Sequence, residues 1–400
     1  MPAGPAPSTG GTAEDGSPPR SVVLFAGGGT AGHVFPAIAV AHALVALRPD
    51  IEPVFVGTAE RLEGTLVPQA GFRLHHVGVL PLPRRLTFDL VRVPRALAAS
   101  VRTCTEIIAA EGAVAAVTFG GYVSFPLARA ARKARLPLVV HEQNSIPGLA
   151  NRVAARWADR IAVSFPGSAD RFPHPERTAV TGNPVRVDFL ERTERQRRTS
   201  AYRRFGLERE RTTLLVFGGS QGARSINRAV TGSRDLWARP TDLQILHAAG
   251  RTLVDDARAE WEAPGGASAP LVSVVDFIDD MARAFAVADV IVCRAGATTI
   301  AELTVLGKVS VLVPYPHAAR DHQTRNANDL AAVGAARVIV DADLTPEALV
   351  AAAEPLLLDP ALRAEIGGAA RSFGRPDAAR NVARLVADLL PPATDAGERT

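Results

Sequence analysis

The sequence predicts an α/β protein of two tandem domains, each a doubly wound parallel sheet. Three observations predict it. The chain has 400 residues, more than one ordinary domain needs. From Ser21 onward, short apolar runs rich in β-branched residues alternate with segments of helical periodicity, the pattern of a parallel sheet covered on both faces. A strand, glycine turn and helix opening occurs twice, as SVVLFAGGGTAGH at 21–33 and TTLLVFGGSQGAR at 212–224.

The elements follow in order. VVLFA (22–26) is a strand and 33–47 a helix. EPVFVG (52–57), AAVTFGG (115–121), LPLVVHE (136–142) and RIAVSF (160–165) are strands, with a helix over 122–134. After the second glycine turn, QILHAAG, VSVVDFI, ADVIVCRAG, VSVLVPYP and ARVIVDAD supply the strands of the second sheet. Residues 190–212, rich in Arg, Glu and Thr, read as a linker or surface helix, and 376–390 as an amphipathic helix. The resulting division is a disordered leader at 1–20, domains at 21–188 and 189–375, a C-terminal helix at 376–390 and a disordered tail at 391–400.

Composition removes several classes. Hydrophobic residues make up 47%, enough for two cores. Two cysteines, Cys104 and Cys293, support neither a disulfide framework nor a zinc cluster. A net charge of +4, carried almost wholly by arginine, is too diffuse to indicate nucleic acid. Residues 21–47 lack Asp, Glu, Lys and Arg, yet GGG at 27–29 and Pro36 break the run, so strand, loop and buried helix fit better than a membrane span. Glu14 and Asp15 argue against a signal peptide.

The first loop contains Gly27-x-Gly29-x-x-Gly32, a dinucleotide fingerprint in form. The acidic residue that would hold a nicotinamide ribose is missing: Glu52 starts the second strand and Glu60 lies past the turn. The loop therefore reads as a phosphate-type turn without nicotinamide chemistry. His33, in the first helical turn, is either a satisfied structural residue or a general base. In GGSQGAR, Ser220 either donates to a phosphate oxygen or caps the helix. In CRAGATTIAEL (293–303), Thr299 and Glu302 fit a capping box, and Glu302 could also accept from ribose hydroxyls beside a pocket lined by 296–299. PHAARDHQTRNA (316–327) lies at the carboxyl edge of the sheet, where ligands bind in open α/β folds; it is either an ordinary surface loop or one in which His322 or Gln323 contacts a sugar. DAD at 341–343 reads as turn and capping chemistry, with no metal site.

Taken with HEQN (141–144), GNPVR (182–186), FGGY (119–122) and FIDDM (277–281), these motifs closely resemble the bacterial MurG family, in its order, from about residue 21 to about 390. That family transfers N-acetylglucosamine from UDP-N-acetylglucosamine to lipid I, forming lipid II for peptidoglycan. The resemblance implies a GT-B fold, two Rossmann-like domains facing a cleft, with the acceptor on the first domain and the donor on the second. It implies that Thr30, Ala31 and Gly32 line the cleft, that Asn144 contacts the sugar, and that Arg186 and Ser220 contact the donor. Ile278 would meet uracil through its backbone, Ala297, Thr298 and Thr299 the diphosphate and sugar, Glu302 the ribose and Gln323 the sugar hydroxyls. His33 becomes the candidate base. No cofactor or metal is implied. The first loop departs from the family slightly, reading TAGH where some relatives have TGGH. A lipid acceptor implies peripheral attachment to the cytoplasmic face of the plasma membrane, with partners in wall synthesis. Leu82, Leu86, Phe88 and Leu90, mixed with Arg84, Arg85, Arg92, Arg95 and Arg102, form a basic apolar patch suited to an anionic surface.

Overall fold

In the computed structural model, residues 20–78, 93–190, 194–219, 221–263 and 269–392 are described. Residues 1–19, the patch segment 79–92, 191–193, Ser220, 264–268 and 393–400 lie outside them.

The first half folds around β1 (Ser21–Ala26), α1 (Ala31–Leu47), β2 (Ile51–Gly57), α2 (Leu62–Gln69), β3 (Arg73–His76), α3 (Val93–Glu111), β4 (Ala115–Thr118), α4 (Ser124–Ala134), β5 (Leu138–Glu142), α5 (Leu149–Ala154), β6 (Arg160–Val163) and β7 (Thr178–Val180). The seven strands are parallel in the order β3-β2-β1-β4-β5-β6-β7. Side chains of β1 alternate between two cores, as the two-residue period of a strand requires. Val22, Leu24 and Ala26 join Leu127 and Leu138 on one face. Val23 and Phe25 join Val34, Val40 and Leu44 on the other, where Phe25 stacks on Phe55 at 5.4 Å.

The second half repeats the plan with α6 (Glu194–Phe205), β8 (Thr212–Phe217), α7 (Arg224–Gly232), β9 (Leu243–Ala248), α8 (Val254–Glu262), β10 (Leu271–Val275), α9 (Met281–Val287), β11 (Val290–Cys293), α10 (Ala297–Leu306), β12 (Val309–Leu312), α11 (His322–Ala331), β13 (Arg337–Val338), α12 (Pro346–Leu358) and α13 (Pro360–Phe373). Its six parallel strands run β10-β9-β8-β11-β12-β13. The charged stretch at 190–212 contains α6, whose Ala201, Tyr202 and Phe205 are buried in this second core.

The last helix, α14 (Ala378–Ala387), returns to the first half: Val382, Ala383 and Val386 pack with Val34 and Leu44. The two crossing segments touch. Gly182 has φ +85, and a Cβ there would lie 2.4 Å from the Cβ of Arg375. Only glycine meets both demands.

Strand order reverses between β1 and β4 in the first sheet and between β8 and β11 in the second. Ligands of open α/β sheets bind outside the carboxyl ends of the strands at such reversals. The loops that leave these four strands are GGGT, FGGY, GGSQGA and RAG.

Candidate functional site

Helices α1 and α10 start at facing edges of the two sheets. Neither has a side-chain cap or an acidic residue in its first turn: Thr30 and Gly296 stand at the two N-cap positions with extended backbones. Gly32 faces α10 closely enough that a Cβ there would lie 3.6 Å from Thr298 Oγ1. That hydroxyl is buried and has no hydrogen-bond partner among the described residues. Two helix N-termini, each with free N–H groups and a positive dipole end, thus meet around Ala31, Gly32, Ala297, Thr298 and Thr299, an arrangement that favours an anion.

His33 lies beside this seam. Its Nδ1 is 3.1 Å from Gly28 O and 3.1 Å from Thr30 Oγ1. A carbonyl can only accept, so the neutral ring carries its proton on Nδ1 and leaves the Nε2 lone pair free. Burial holds the imidazole below its usual range, although the Gly28 hydrogen bond, Glu142 and Glu63 oppose that shift. Gly120, with φ +91, passes the far edge of the ring, and a Cβ there would sit 3.1 Å from Nε2. The glycine of FGGY is what leaves that edge clear.

The first loop does have an acidic partner, and the sequence reading overlooked it. Glu63 on α2 is 1% exposed, and its carboxylate accepts from Gly29 N at 2.9 Å. One of the N–H groups that a dinucleotide phosphate would use is therefore already bonded within the chain.

On the second half, Glu302 is buried on α10 with Oε1 3.6 Å from Arg186 Nε. Burial pushes its carboxyl up to about 7; Arg186 works against this and Asp188 adds to it. The capping-box reading is corrected: the N-cap is Gly296, so Thr299 lies inside α10 and Glu302 a turn further on. Glu302 thus serves no cap. The Arg186 guanidinium is held between the rings of Phe35 and Phe189, at 5.0 and 4.8 Å.

Asn144 and Gln323 come from opposite halves. Asn144 is anchored by Glu142, which accepts its backbone N–H at 2.9 Å and its side-chain amide at 3.2 Å. Asn326 on α11 is fully buried, donates to Asn144 Oδ1 at 3.2 Å and accepts from Ser145 N at 2.9 Å. This clasp joins the halves directly. Gln323 Oε1 accepts from Tyr315 N at 3.0 Å, and His322 Nδ1 is engaged with Ala319 O at 2.7 Å. Ile278 has a buried side chain, while its backbone N–H and C=O make no hydrogen bond to another described residue.

The DAD turn is corrected in part. Asp341 accepts from Ser225 Oγ at 2.6 Å and pairs with Arg294, whereas α12 is capped by Thr345. Among the described residues, no group of three or more His, Cys, Asp or Glu could hold a metal ion. Asn326, Glu142 and Glu63 escaped the sequence reading. For Asn326 and Glu142 the signal was the polarity of HQTRNA and HEQN, read motif by motif instead of residue by residue.

Known proteins of similar sequence and fold give the family. Residues 23–163 match the glycosyltransferase family 28 N-terminal domain, and 213–382 its C-terminal domain. The chain is 43% identical over 370 residues to a UDP-N-acetylglucosamine–N-acetylmuramyl-(pentapeptide) pyrophosphoryl-undecaprenol N-acetylglucosamine transferase of a Nocardioides species, covering 92% of this chain and 98% of the relative. A Mycobacterium relative of the same name is 42% identical, with 92% and 95% covered. Among solved structures, MurG of Acinetobacter baumannii superposes with a TM-score of 0.72 at 29% identity, covering 92% of this chain and all of that one. A UDP-GlcNAc 2-epimerase of Neisseria meningitidis, at 12% identity and a TM-score of 0.66, shares the fold. The chain belongs to glycosyltransferase family 28, in the branch of the UDP-N-acetylglucosamine–N-acetylmuramyl-(pentapeptide) pyrophosphoryl-undecaprenol N-acetylglucosamine transferases.

Proposed function

We propose that the protein is an inverting hexosyltransferase. It moves N-acetylglucosamine from UDP-N-acetylglucosamine to the C4 hydroxyl of the muramyl sugar of undecaprenyl-diphosphate-linked lipid I, giving lipid II. The meeting of two uncapped helix N-termini beside a histidine with a free Nε2 carries this reading. The acceptor oxygen attacks the anomeric carbon as the bond to the UDP oxygen breaks, so the leaving group departs with the electron pair. His33 Nε2 takes the hydroxyl proton, help that is worth ~10²–10⁴ in rate. Charge developing on the diphosphate falls to the N–H groups of Ala297 to Thr299 and to Thr298 Oγ1.

Glu302 accepts from the ribose hydroxyls and Arg186 supports the nucleotide. Ile278 offers its backbone N–H and C=O to uracil, and Ser220 a hydroxyl to the diphosphate. Thr30, Ala31 and Gly32 border the donor sugar, whose hydroxyls and N-acetyl group Asn144 and Gln323 contact.

The lipid acceptor places the work at a membrane surface. No helix among the described residues is long and apolar enough to cross a bilayer. Attachment is peripheral, on the cytoplasmic face, through the basic apolar segment at 79–92 and the exposed Arg95 and Arg102 of α3.

Incubation with UDP-N-acetylglucosamine and a short-chain lipid I analogue tests the reading. Disaccharide-lipid and UDP in equal amounts are expected. Epimerised sugar, or binding without turnover, would overturn it.

A further inference from the structure

Glu63 is a buried carboxylate with no arginine or lysine nitrogen within 4 Å among the described residues. Isolated buried charge is expensive, so hydrogen bonds must hold it. They come from Gly29 N at 2.9 Å, Thr58 Oγ1 at 2.7 Å and Thr58 N at 3.3 Å. Burial raises this carboxyl, but the donors, Gly29 first, bring it below the usual range, so it is ionised at neutral pH.

Two glycines make room for it. A Cβ on Gly28 would lie 2.6 Å from Glu63 Oε1, and one on Gly57 would lie 2.7 Å from Glu63 Cγ. Neither has a positive φ, so space, not backbone conformation, is what requires glycine there.

The Gly29 N–H belongs to the same peptide unit as the Gly28 carbonyl. That carbonyl is the one facing His33 Nδ1 at 3.1 Å. We propose that Glu63 is a positioning residue acting on His33 through the Gly28–Gly29 peptide: its carboxylate binds the N–H, the peptide's carbonyl binds the Nδ1–H, and Nε2 is thereby presented unprotonated to the acceptor hydroxyl. A charged acceptor polarises the peptide and strengthens its carbonyl as an acceptor, since hydrogen bonds in a chain reinforce one another. The arrangement does the work of a carboxylate bonded directly to a catalytic histidine, with one peptide group inserted. It rests on the reading of His33 as the base.

The ionisable groups that face His33 are Glu63 from α2, His141 and Glu142 from β5, and His322 from α11. Of these, Glu63 alone is bonded to the peptide that His33 contacts.

The test uses Glu63→Gln in the full-length protein. We expect kcat to fall about 10- to 100-fold, less than the ~10²–10⁴ that loss of the base itself would cost, with the KM for UDP-N-acetylglucosamine unchanged. The acid limb of the kcat profile should move to lower pH, because a negative charge that favours the imidazolium is gone. Long-range ¹H–¹⁵N NMR of the histidines, with the His33 signal assigned by its loss in His33→Gln, should show the Nδ1–H tautomer in the wild type and a mixture in Glu63→Gln. A wild-type His33 protonated on Nε2 overturns the proposal even if the variant does not fold. Wild-type kcat and tautomer in a folded variant overturn it too. Full turnover in His33→Gln would instead remove His33 as base, while the tautomer measurement still judges the link to Glu63.

Discussion

Glu302 offers the sharpest quantitative test, because burial has brought its carboxyl to about 7. Ribose hydroxyls donate to a carboxylate, so the ionised form is the one that binds the donor. With a midpoint near 7, about one tenth of Glu302 is ionised at pH 6 and about nine tenths at pH 8. The donor's diphosphate is esterified at both ends and does not titrate in that window. Affinity for UDP-N-acetylglucosamine, measured by isothermal titration calorimetry, should therefore rise about ten-fold from pH 6 to pH 8. In Glu302→Gln the dependence should vanish, and affinity at pH 8 should drop at least about ten-fold, as a hydrogen bond to a charged group is worth about 1.5–3 kcal/mol. Stability has the opposite sign. A carboxyl raised from 4.5 to about 7 favours the folded state below 4.5 and loses that contribution as pH rises through 7. The full difference is at most about 3 kcal/mol. Glu302→Gln should accordingly be more stable than the wild type at pH 8 and indistinguishable near pH 4.5. Wild-type affinity that stays flat between pH 6 and pH 8 would refute the reasoning.

Further predictions concern the base, the clasp, the crossing and the membrane. His33→Ala should lower kcat about 10²–10⁴-fold with donor KM little changed; normal turnover would remove His33 from the mechanism. Asn326→Ala strips a fully buried amide from Ser145 N and Asn144 Oδ1, so denaturant unfolding should show a loss of about 1–3 kcal/mol, with weaker donor binding in calorimetry. Gly182→Ala forces a Cβ against Arg375 at φ +85 and should cost about 1–3 kcal/mol in the same unfolding assay; an unchanged midpoint would show that the crossing relaxes freely. Charge reversal of Arg84 and Arg85 should reduce sedimentation with anionic vesicles, each arginine contributing about 1 kcal/mol, and undiminished binding would mean that this segment is not the anchor.

Much of the plan is legible in the sequence. Apolar runs and glycine turns placed β1, β2, β4, β5, β6 and β8 to within a few residues, because strand burial on both faces leaves a local mark. The short β3 and β7, and α2 just before β3, left none: RLHH and TAV are too brief and too polar to register. The capping-box reading of Thr299 and Glu302 failed for a related reason. Spacing alone cannot say where a helix begins, and α10 starts at Ala297, two residues before the threonine expected to cap it.

The sequence by itself determined the two strand–glycine–helix units, the loops that leave the sheets at their reversals, and the family those motifs resemble. Only the tertiary structure decided which residues meet. Glu63 reaches Gly29 across 34 positions, Asn326 reaches Asn144 across 182, and Arg186 comes within 3.6 Å of Glu302. Periodicity records whether a side chain faces a core, since burial repeats with the geometry of each element. Contacts between elements depend on how the sheets twist and how the two halves face each other, and no local pattern encodes that. The GGGTAGH loop illustrates the difference: its glycines announced a turn for phosphate, and the fold gave one of its amides to a buried carboxylate beside His33.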